Sequence, residues 1–168
     1  GDGTTTAELL ALAARLGVGD SVRYLGSAPM EKMAGLISNA DLGIVPKRAD
    51  SFGNEAYSTK IMEFMSQGVP VVASRTKIDA YYFDDGSVRF FPSGNVQEMS
   101  KAMLEVIEGK ALRERLVQKG LEHVRLHNWD SRKKEYLALI DSLTTEPMPS
   151  VPVLAGPVVP ATEKRSEA

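Results

Sequence analysis

The stretch GNEAYSTKIMEFMSQGVPVVAS, residues 53–74, contains in succession a loop, a candidate helix and a candidate strand. Ser58 or Thr59 can cap the helix. Four apolar residues then follow at helical spacing: Ile61, Met62, Phe64 and Met65. Gly68 can end the helix, and the apolar run at residues 70–73 is typical of a strand that is buried on both faces. The stretch therefore predicts a helix followed directly by an interior strand of a parallel sheet.

The same alternation of helices and strands extends along the chain on both sides of this stretch. Upstream, the hydrophobic periodicity predicts helices at residues 9–16 and 29–40 and strands at residues 21–25 and 42–45. Downstream, it predicts a helical turn at 79–83, a strand at 88–91 and helices at 96–107, 112–126 and about 131–143. Because this order requires right-handed crossovers, we predict an α/β fold: a Rossmann-like parallel sheet with helices on both faces and a helical C-terminus.

The composition is that of an ordinary globular protein. Of the 168 residues, 43% are hydrophobic and 25% are charged, and the net charge is -2, which gives no reason to expect nucleic acid as a partner. The chain has no cysteine, so it can form neither a disulfide framework nor a thiolate metal site, and a cytoplasmic location is the simplest expectation. No apolar run approaches the roughly 20 residues of a membrane-spanning helix, and no signal peptide is evident.

The two ends of the chain depart from this pattern. Gly1-Asp2-Gly3 has the composition of a tight turn that should follow a strand, yet no strand precedes it. We therefore expect residues 1–143 to be one domain that is truncated at its N-terminus. Residues 144–168 are rich in proline and end in charged residues, which predicts a disordered tail, with a polyproline ligand for a partner as the less favoured alternative.

The helix that starts near Ser58 is the candidate ligand-binding element. In a doubly wound sheet, ligands bind at the carboxyl ends of the strands, where helix N-termini offer unpaired N–H groups and a positive dipole end to a phosphate. Ser58, Thr59 and Lys60 can add hydroxyl and ammonium donors there. Glu63, one turn further along, can accept hydrogen bonds from both hydroxyls of a ribose, and Glu55 would reach a group beyond the phosphates. This arrangement suits a nucleotide sugar.

The same residues resemble a known family. Glu55 and Glu63 form a Glu-x7-Glu pattern like that of retaining group 1 (family 4) glycosyltransferases with the GT-B fold. Other segments occur in the order in which this family's C-terminal, donor-binding domain uses them: GDG, LGVGDSVRYLGSAPMEKMAGLISNADLGIVP, STKIMEFMSQGVPVVAS and NWD. The resemblance covers residues 1 to about 143.

The resemblance implies a role for each matching position. Glu63 is expected to bind the ribose hydroxyls, and Glu55 to act as the catalytic residue near the anomeric carbon of the donor sugar. The backbone around Ala56 and Thr59 would contact sugar hydroxyls or the β-phosphate, Ala28 would border the base, and the turn of Gly1 and Gly3 would lie near the nucleotide.

Two departures from the family pattern leave questions open. Asp50 begins a Asp-Ser-Phe-Gly segment that resembles the start of the family signature, so Asp50 competes with Glu55 for the first acidic role, although the spacing favours Glu55. The family's basic pair for the diphosphate and its acceptor domain lie upstream of the GDG turn and are not in this sequence. We therefore expect the chain alone to bind the donor weakly and to catalyse little.

The implied reaction is transfer of a sugar, with retention, from a nucleotide diphosphate sugar to an acceptor hydroxyl in polysaccharide biosynthesis. The acceptor would be a glycan or a lipid-linked molecule, with a peripheral membrane contact. No cofactor or metal is implied, and a UDP-sugar is favoured slightly, because no acidic residue follows Gly26 before Glu31. The alternatives are a non-catalytic Rossmann-like module that binds a nucleotide or a partner, and a related GT-B enzyme that epimerises sugars.

Features near the C-terminus have simpler interpretations. His123 and His127 stand at i, i+4, but no glutamate lies between them in the pattern of a zinc protease helix, so a solvated helix end is favoured over a metal site. Trp129 and Asp130 are expected to dock and cap the last helix. The basic run at residues 132–134 is expected to keep that helix solvated, with contact to an anionic lipid-linked acceptor as the alternative.

Overall fold

The computed structural model describes residues 3–144. Seven helices lie in this part of the chain: α1 (Thr6–Arg15), α2 (Met30–Ser38), α3 (Thr59–Ser66), α4 (Lys77–Tyr82), α5 (Val96–Glu108), α6 (Lys110–His127) and α7 (Trp129–Thr144). The same residues form three strands: β1 (Gly43–Val45), β2 (Val71–Arg75) and β3 (Arg89–Pro92). A 3-10 turn spans Gly19–Ser21. The chain divides into one compact unit up to Asn128 and a second unit that begins at Trp129.

The three strands form a parallel sheet in the order β1-β2-β3. Ile44 is paired with Val72, which is itself paired with Arg89 of β3. Each strand is joined to the next through a helix, because parallel neighbours need a crossover connection. The predicted parallel α/β sheet is therefore confirmed, and its carboxyl edge lies where β1, β2 and β3 end.

Helices cover both faces of this sheet. Along β2, Val71 and Ala73 belong to one buried cluster with Ile61 and Met65 of α3. Val72, between them, belongs to another, together with these side chains of β3, α5 and α6: Phe91, Ala102, Val106 and Leu116. Because successive residues of a strand point to opposite faces, the alternation along β2 shows that both faces of the sheet are covered. α3 packs on one face and α5 on the other, while α6 contributes Leu116 to the second cluster and packs Val124 against the first.

Two glycines allow α3 to lie close to its neighbours. A Cβ atom on Gly43 of β1 would come within 2.5 Å of the Phe64 ring, and one on Gly120 of α6 would come within 2.9 Å of the Met65 side chain. Ile61 and Met65 are buried beneath this contact. The position of α3 is therefore fixed by direct contact with both a strand and a helix.

The predicted strand at residues 21–25 is wrong. Residues 19–21 form the 3-10 turn, and the residues after it pair with no strand, although Val22 has an extended backbone. Val22, Tyr24 and Leu25 are exposed. Alternating apolar residues suit an extended chain, but a strand also needs a hydrogen-bonding neighbour, which local spacing cannot supply.

The last helix, α7, belongs to the second unit of the chain. It begins at Trp129, whose ring packs 5.6 Å from that of Tyr136 and whose side chain is 60% exposed. The Asp130 carboxylate pairs with the Lys133 ammonium at 2.8 Å within the first turn. Residues 145–168, and with them the predicted disordered tail, lie outside the described part, so the boundary at residue 143 stays a prediction. Among the helices of residues 3–144, none is long and apolar enough to cross a membrane.

His123 and His127 take unequal positions on α6. Their rings stack at 4.1 Å, and the His123 ring lies 5.0 Å from that of Phe83, so that His123 is partly buried while His127 is exposed. The predicted solvated helix end therefore describes His127 and not His123. Burial first, and then the charge of His127, lowers the pKa of His123 from its ordinary value of 6.5.

We expect stability to fall when the pH drops below about 6.5, because the unfolded chain then binds a proton at His123 that the folded chain binds less readily. The stability contribution is present above the unfolded pKa and is lost as the pH falls through the lower, folded pKa. Urea unfolding at several pH values between 7.5 and 5.5 checks this. The variant His123→Gln should show a smaller pH dependence, and an unchanged dependence in this variant would contradict the assignment.

A second prediction concerns the contact between β1 and α3. Gly43→Ala should lower the free energy of unfolding by about 1–3 kcal/mol, because the added methyl overpacks the core against Phe64. Gly35→Ala is the matched control, since a Cβ at this position of α2 meets no atom within 4 Å. Denaturant unfolding of both variants gives the comparison, and equal stability of Gly43→Ala and the unaltered chain would show that α3 can move away from β1.

Candidate functional site

Glu63 borders a cleft between α2 and α3. The cleft has a volume of about 370 Å³ and is lined by eight residues: Ala28, Met30, Met33, Ala34, Ile37, Glu63, Ser66 and Gln67. Glu63 lies on the exposed side of α3, between the buried Ile61 and Met65. The structure thus brings together two residues that the sequence assigned to ribose and base, Glu63 and Ala28.

A second cleft lies at the N-terminus of α3 and the carboxyl end of β1. It has a volume of about 460 Å³, and four predicted donor-binding residues line it: Ala56, Ser58, Thr59 and Lys60. Val45 and Pro46, at the end of β1, line it as well. This is the position at which helix dipoles and free amides favour an anion.

Ser58 precedes α3 but does not cap it through its side chain. Ser58 is buried, and its hydroxyl donates a hydrogen bond to Asp79 Oδ2 at 3.0 Å while it accepts one from Lys47 Nζ at 2.9 Å. The predicted cap at Ser58 is therefore wrong in its chemistry, although Ser58 occupies the capping position. The reason is that the Lys47 ammonium takes the place of a helix amide as donor to this oxygen, while the buried Asp79 carboxylate orients the hydroxyl by accepting its proton.

Glu55 lies in a third cleft, apart from Glu63. This cleft, of about 440 Å³, is lined by Asn54, Glu55, Lys77, Ile78, Ala80 and Tyr81. The Glu55 carboxylate is 70% exposed and lies 3.7 Å from the Lys77 ammonium. The structure therefore does not bring the two acids of the Glu-x7-Glu pattern to one cleft, and the catalytic role of Glu55 stays a prediction.

Asp50, the rival of Glu55, has a structural task. Its Oδ1 accepts a hydrogen bond from the Gly53 amide at 2.7 Å. A Cβ on Gly53 would come within 1.7 Å of the Arg48 carbonyl oxygen, so the turn requires glycine. One oxygen of Asp50 is thus already used to close this turn.

The N-terminal turn contributes little that bears on a site. The Gly3 carbonyl accepts hydrogen bonds from the Thr6 amide at 3.2 Å and from the Thr6 hydroxyl at 2.9 Å, which leads the chain into α1. Gly1 lies outside the described residues. The roles of both glycines near a nucleotide remain predictions.

Sequence reasoning missed the ion pair beneath the α3 N-terminus. The Lys47 ammonium lies 2.7 Å from Asp79 Oδ2, and the Asp79 side chain is 1% exposed. The same ammonium donates to the Ala56 carbonyl at 2.6 Å and to the Ser58 hydroxyl. Thr76 Oγ1 also donates to Asp79 Oδ2, at 2.8 Å. This cluster of Lys47, Ser58, Thr76 and Asp79 is called the Lys47–Asp79 network below.

One part of this network had a signal in the sequence. Thr76 and Asp79 have the spacing of a helix capping box, Thr-x-x-Asp, and Thr76 indeed caps α4 by accepting from the Asp79 amide. The spacing predicts the start of α4 at residue 77, two residues before the predicted helical turn. Nothing local indicates that Lys47 would meet Asp79.

Tyr57 lies beside the network. Its ring stacks on Phe83 at 5.7 Å and meets the Tyr82 ring edge-on at 5.0 Å. Burial, and then the charge of Asp79, raises the pKa of Tyr57 above its ordinary value of 10.0. Tyr57 is therefore a neutral, packed residue near neutral pH.

Among residues 3–144, no group of three acidic or histidine side chains could hold a metal ion.

A parallel α/β sheet with crossover helices on both faces defines a Rossmann-like fold, in which ligands commonly bind at the carboxyl ends of the strands. A family model, glycosyl transferases group 1, matches residues 1–123. The chain therefore belongs to the group 1 glycosyltransferase family.

Similarity to individual proteins agrees with this assignment. The chain is 27% identical over 130 residues to a phosphatidyl-myo-inositol mannosyltransferase of Mycobacterium leprae, a match that covers 77% of this chain and 34% of the relative. The chain thus spans about a third of the length of that relative.

Two solved structures share the fold. Sucrose-phosphate synthase of Thermosynechococcus elongatus superposes with a TM-score of 0.74 at 22% identity, over 86% of this chain and 35% of that one. The Anabaena protein HepE, solved in complex with UDP, has a TM-score of 0.70 at 20% identity, over 81% of this chain and 36% of that one. These likenesses confirm the Rossmann-like fold.

We expect Lys47→Met to lower the free energy of unfolding by about 3–5 kcal/mol, because it leaves the buried Asp79 carboxylate without its counter-ion. Lys60→Met is the matched control, since Lys60 is exposed and should change stability by no more than about 0.5 kcal/mol. Chemical denaturation of the two variants measures the difference. Equal losses would mean that the ion pair does not stabilise the fold.

Proposed function

We propose that this chain is the donor-binding domain of a retaining glycosyltransferase that transfers a sugar from a nucleotide diphosphate sugar to an acceptor hydroxyl. The observation that carries the proposal is the position of α3 in a group 1 glycosyltransferase domain. Glu63 and Ala28 border one cleft on α3, and Thr59 and Lys60 border another at its N-terminus. The residues proposed to bind the ribose and the phosphates therefore lie about one helical turn apart, about 5.4 Å along the axis.

In this proposal, Glu63 accepts hydrogen bonds from the ribose hydroxyls of the donor. A carboxylate is an acceptor only, with two oxygens that can serve two hydroxyls at once. The exposed position of Glu63 between two buried residues of α3 holds the carboxylate at the cleft without burying its charge. The base would then lie along the apolar wall that α2 provides, near Ala28.

The N-terminus of α3 would bind the diphosphate. Negative charge grows on the diphosphate as the bond to the sugar breaks, and donors that are already oriented toward this position stabilise the transition state. The amides at the start of α3 and the Lys60 ammonium supply such donors at the cleft. Ser58, whose hydroxyl is engaged in the Lys47–Asp79 network, contributes through its backbone.

Glu55 is proposed to act at the donor sugar. The Glu55 cleft adjoins the loop that leads into α3, and its carboxylate is exposed and paired only at 3.7 Å with Lys77. Asp50 is less suited, because one of its oxygens already binds the Gly53 amide. Retention at the anomeric carbon belongs to the same proposal.

The remaining parts of the enzyme are proposed to lie outside this chain. The match covers only 34% of the mannosyltransferase relative, and the acceptor, whether a glycan or a lipid-linked molecule, would bind to those other parts. The chain alone is then expected to bind the donor weakly and to catalyse little. UDP-sugars are the favoured donors, a choice supported by the UDP that the Anabaena neighbour binds. A cytoplasmic location with a peripheral membrane contact stays part of the proposal.

The proposal is tested by titrating UDP-, GDP- and ADP-sugars into this chain and into its variant Glu63→Ala. Loss of a charged hydrogen-bond partner should weaken binding of the preferred donor by roughly 10- to 100-fold, from about 1.5–3 kcal/mol of lost interaction. Glu108→Ala, an exposed glutamate on α5, is the matched control and should leave binding unchanged.

Two outcomes would contradict this reading of the site. Equal donor binding by Glu63→Ala and the unaltered chain would remove Glu63 from the ribose site. Binding of a partner or a bare nucleotide with no preference for any sugar donor would instead favour the non-catalytic module, which is also consistent with the separation of Glu55 from Glu63.

A further inference from the structure

The Lys47 ammonium has no donor left for a ligand. An ammonium carries three N–H donors. Those of Lys47 have three acceptors: Asp79 Oδ2 at 2.7 Å, the Ala56 carbonyl at 2.6 Å and the Ser58 hydroxyl at 2.9 Å. Lys47 therefore lines the cleft at the α3 N-terminus without being available to bind a phosphate directly.

Asp79 occupies an unfavourable position. Its Oδ2 accepts hydrogen bonds from Ser58, Thr76 and Lys47, whereas its Oδ1 is buried with no hydrogen-bond partner. A buried polar atom without a partner opposes folding. Apolar residues at both Lys47 and Asp79 would avoid this cost, so the buried pair calls for an explanation other than packing.

The network changes the chemistry of the α3 N-terminus. Serine at the residue before a helix normally accepts a hydrogen bond from one of the first amides. At Ser58 the hydroxyl instead donates to Asp79 and accepts from Lys47, and it makes no cap hydrogen bond. The Ile61 amide donates to the Ser58 carbonyl at 3.1 Å, whereas no capping side chain covers the first two amides of α3, those of Thr59 and Lys60.

The same lysine is anchored to the sheet. The Lys47 amide donates to the Ser74 hydroxyl of β2 at 2.8 Å, and the Lys47 carbonyl accepts from the Ser93 hydroxyl, just after β3, at 2.8 Å. The Ala56 carbonyl and Ser58 hydroxyl are therefore held, through Lys47, by the carboxyl edge of the sheet.

We propose that Lys47 and Asp79 are positioning residues for the diphosphate of the donor. Their ion pair draws the Ser58 hydroxyl away from α3 and fixes the Ala56 carbonyl, so that the first amides of α3 stay open toward the cleft. This inference rests on the proposed function, because it assigns the open amides to the donor's phosphates. Lys47 acts through α3 and does not touch the ligand.

The test compares a ligand that carries the diphosphate with one that lacks it. UDP and uridine are titrated into three ¹⁵N-labelled proteins: the unaltered full chain, Lys47→Met and the double variant Lys47→Met/Asp79→Asn. Each titration is run below the unfolding temperature of the protein. The double variant removes both charges together and serves if Lys47→Met alone does not fold. Arg89→Met is the matched control, because it removes a partly buried ion pair with Glu105 at 2.7 Å in another part of the domain.

We expect the Lys47 variants to lose UDP affinity by about tenfold while uridine affinity changes by less than about twofold. Hydrogen exchange of the Thr59 and Lys60 amides should change by at least about threefold. Arg89→Met should alter neither ligand's affinity nor these amides. A general structural defect would instead weaken UDP and uridine equally.

Unchanged UDP affinity in folded Lys47 variants, or equal losses for UDP and uridine, would overturn the positioning role. If the unaltered chain bound neither ligand, the proposed function would fail, and with it the assignment to a diphosphate. The exchange of the Thr59 and Lys60 amides would still decide whether the ion pair holds the α3 N-terminus. Unchanged exchange in the Lys47 variants would show that the ion pair does not hold it.

Discussion

The close packing of α3 against the sheet is the constraint on which the rest of the domain depends. Gly43 makes room for the Phe64 ring, and Gly120 makes room for Met65. Because the helix touches a strand on one side and α6 on another, it cannot slide without opening the core. Residues of α3 that face away from the core are therefore held at fixed positions, as a binding site requires.

Ion pairs and hydrogen bonds position the loop that leads into α3. The loop between β1 and α3 has little regular secondary structure, so its course is set by side chains. The Lys47–Asp79 network connects the end of β1, the residue before α3 and the start of α4. A buried ion pair contributes little net stability compared with apolar packing, but it is directional. It can fix the conformation of a loop that apolar contacts alone would leave variable.

The two acids of the Glu-x7-Glu pattern take different environments. Glu63 is on the helix itself and borders the α2–α3 cleft, whereas Glu55 is on the preceding loop, beside Lys77. Along the chain, the N-terminus of α3 lies between Glu55 and Glu63. In the proposed function this helix end binds the phosphates, which are the part of the donor that the helix dipole stabilises most.

From residue 29 onward, the sequence by itself determined the order of helices and strands, the buried strand after α3 and the covered sheet, because periodicity and glycine positions act over a few residues. It also placed Glu63 one turn inside the helix. Only the tertiary structure decided that residues 21–25 form no strand, that Ser58 bonds to Asp79 instead of capping α3, and that Glu55 and Glu63 border different clefts. These features depend on contacts between segments that are distant in sequence, such as that of Lys47 with Asp79. Local residue spacing does not predict such contacts.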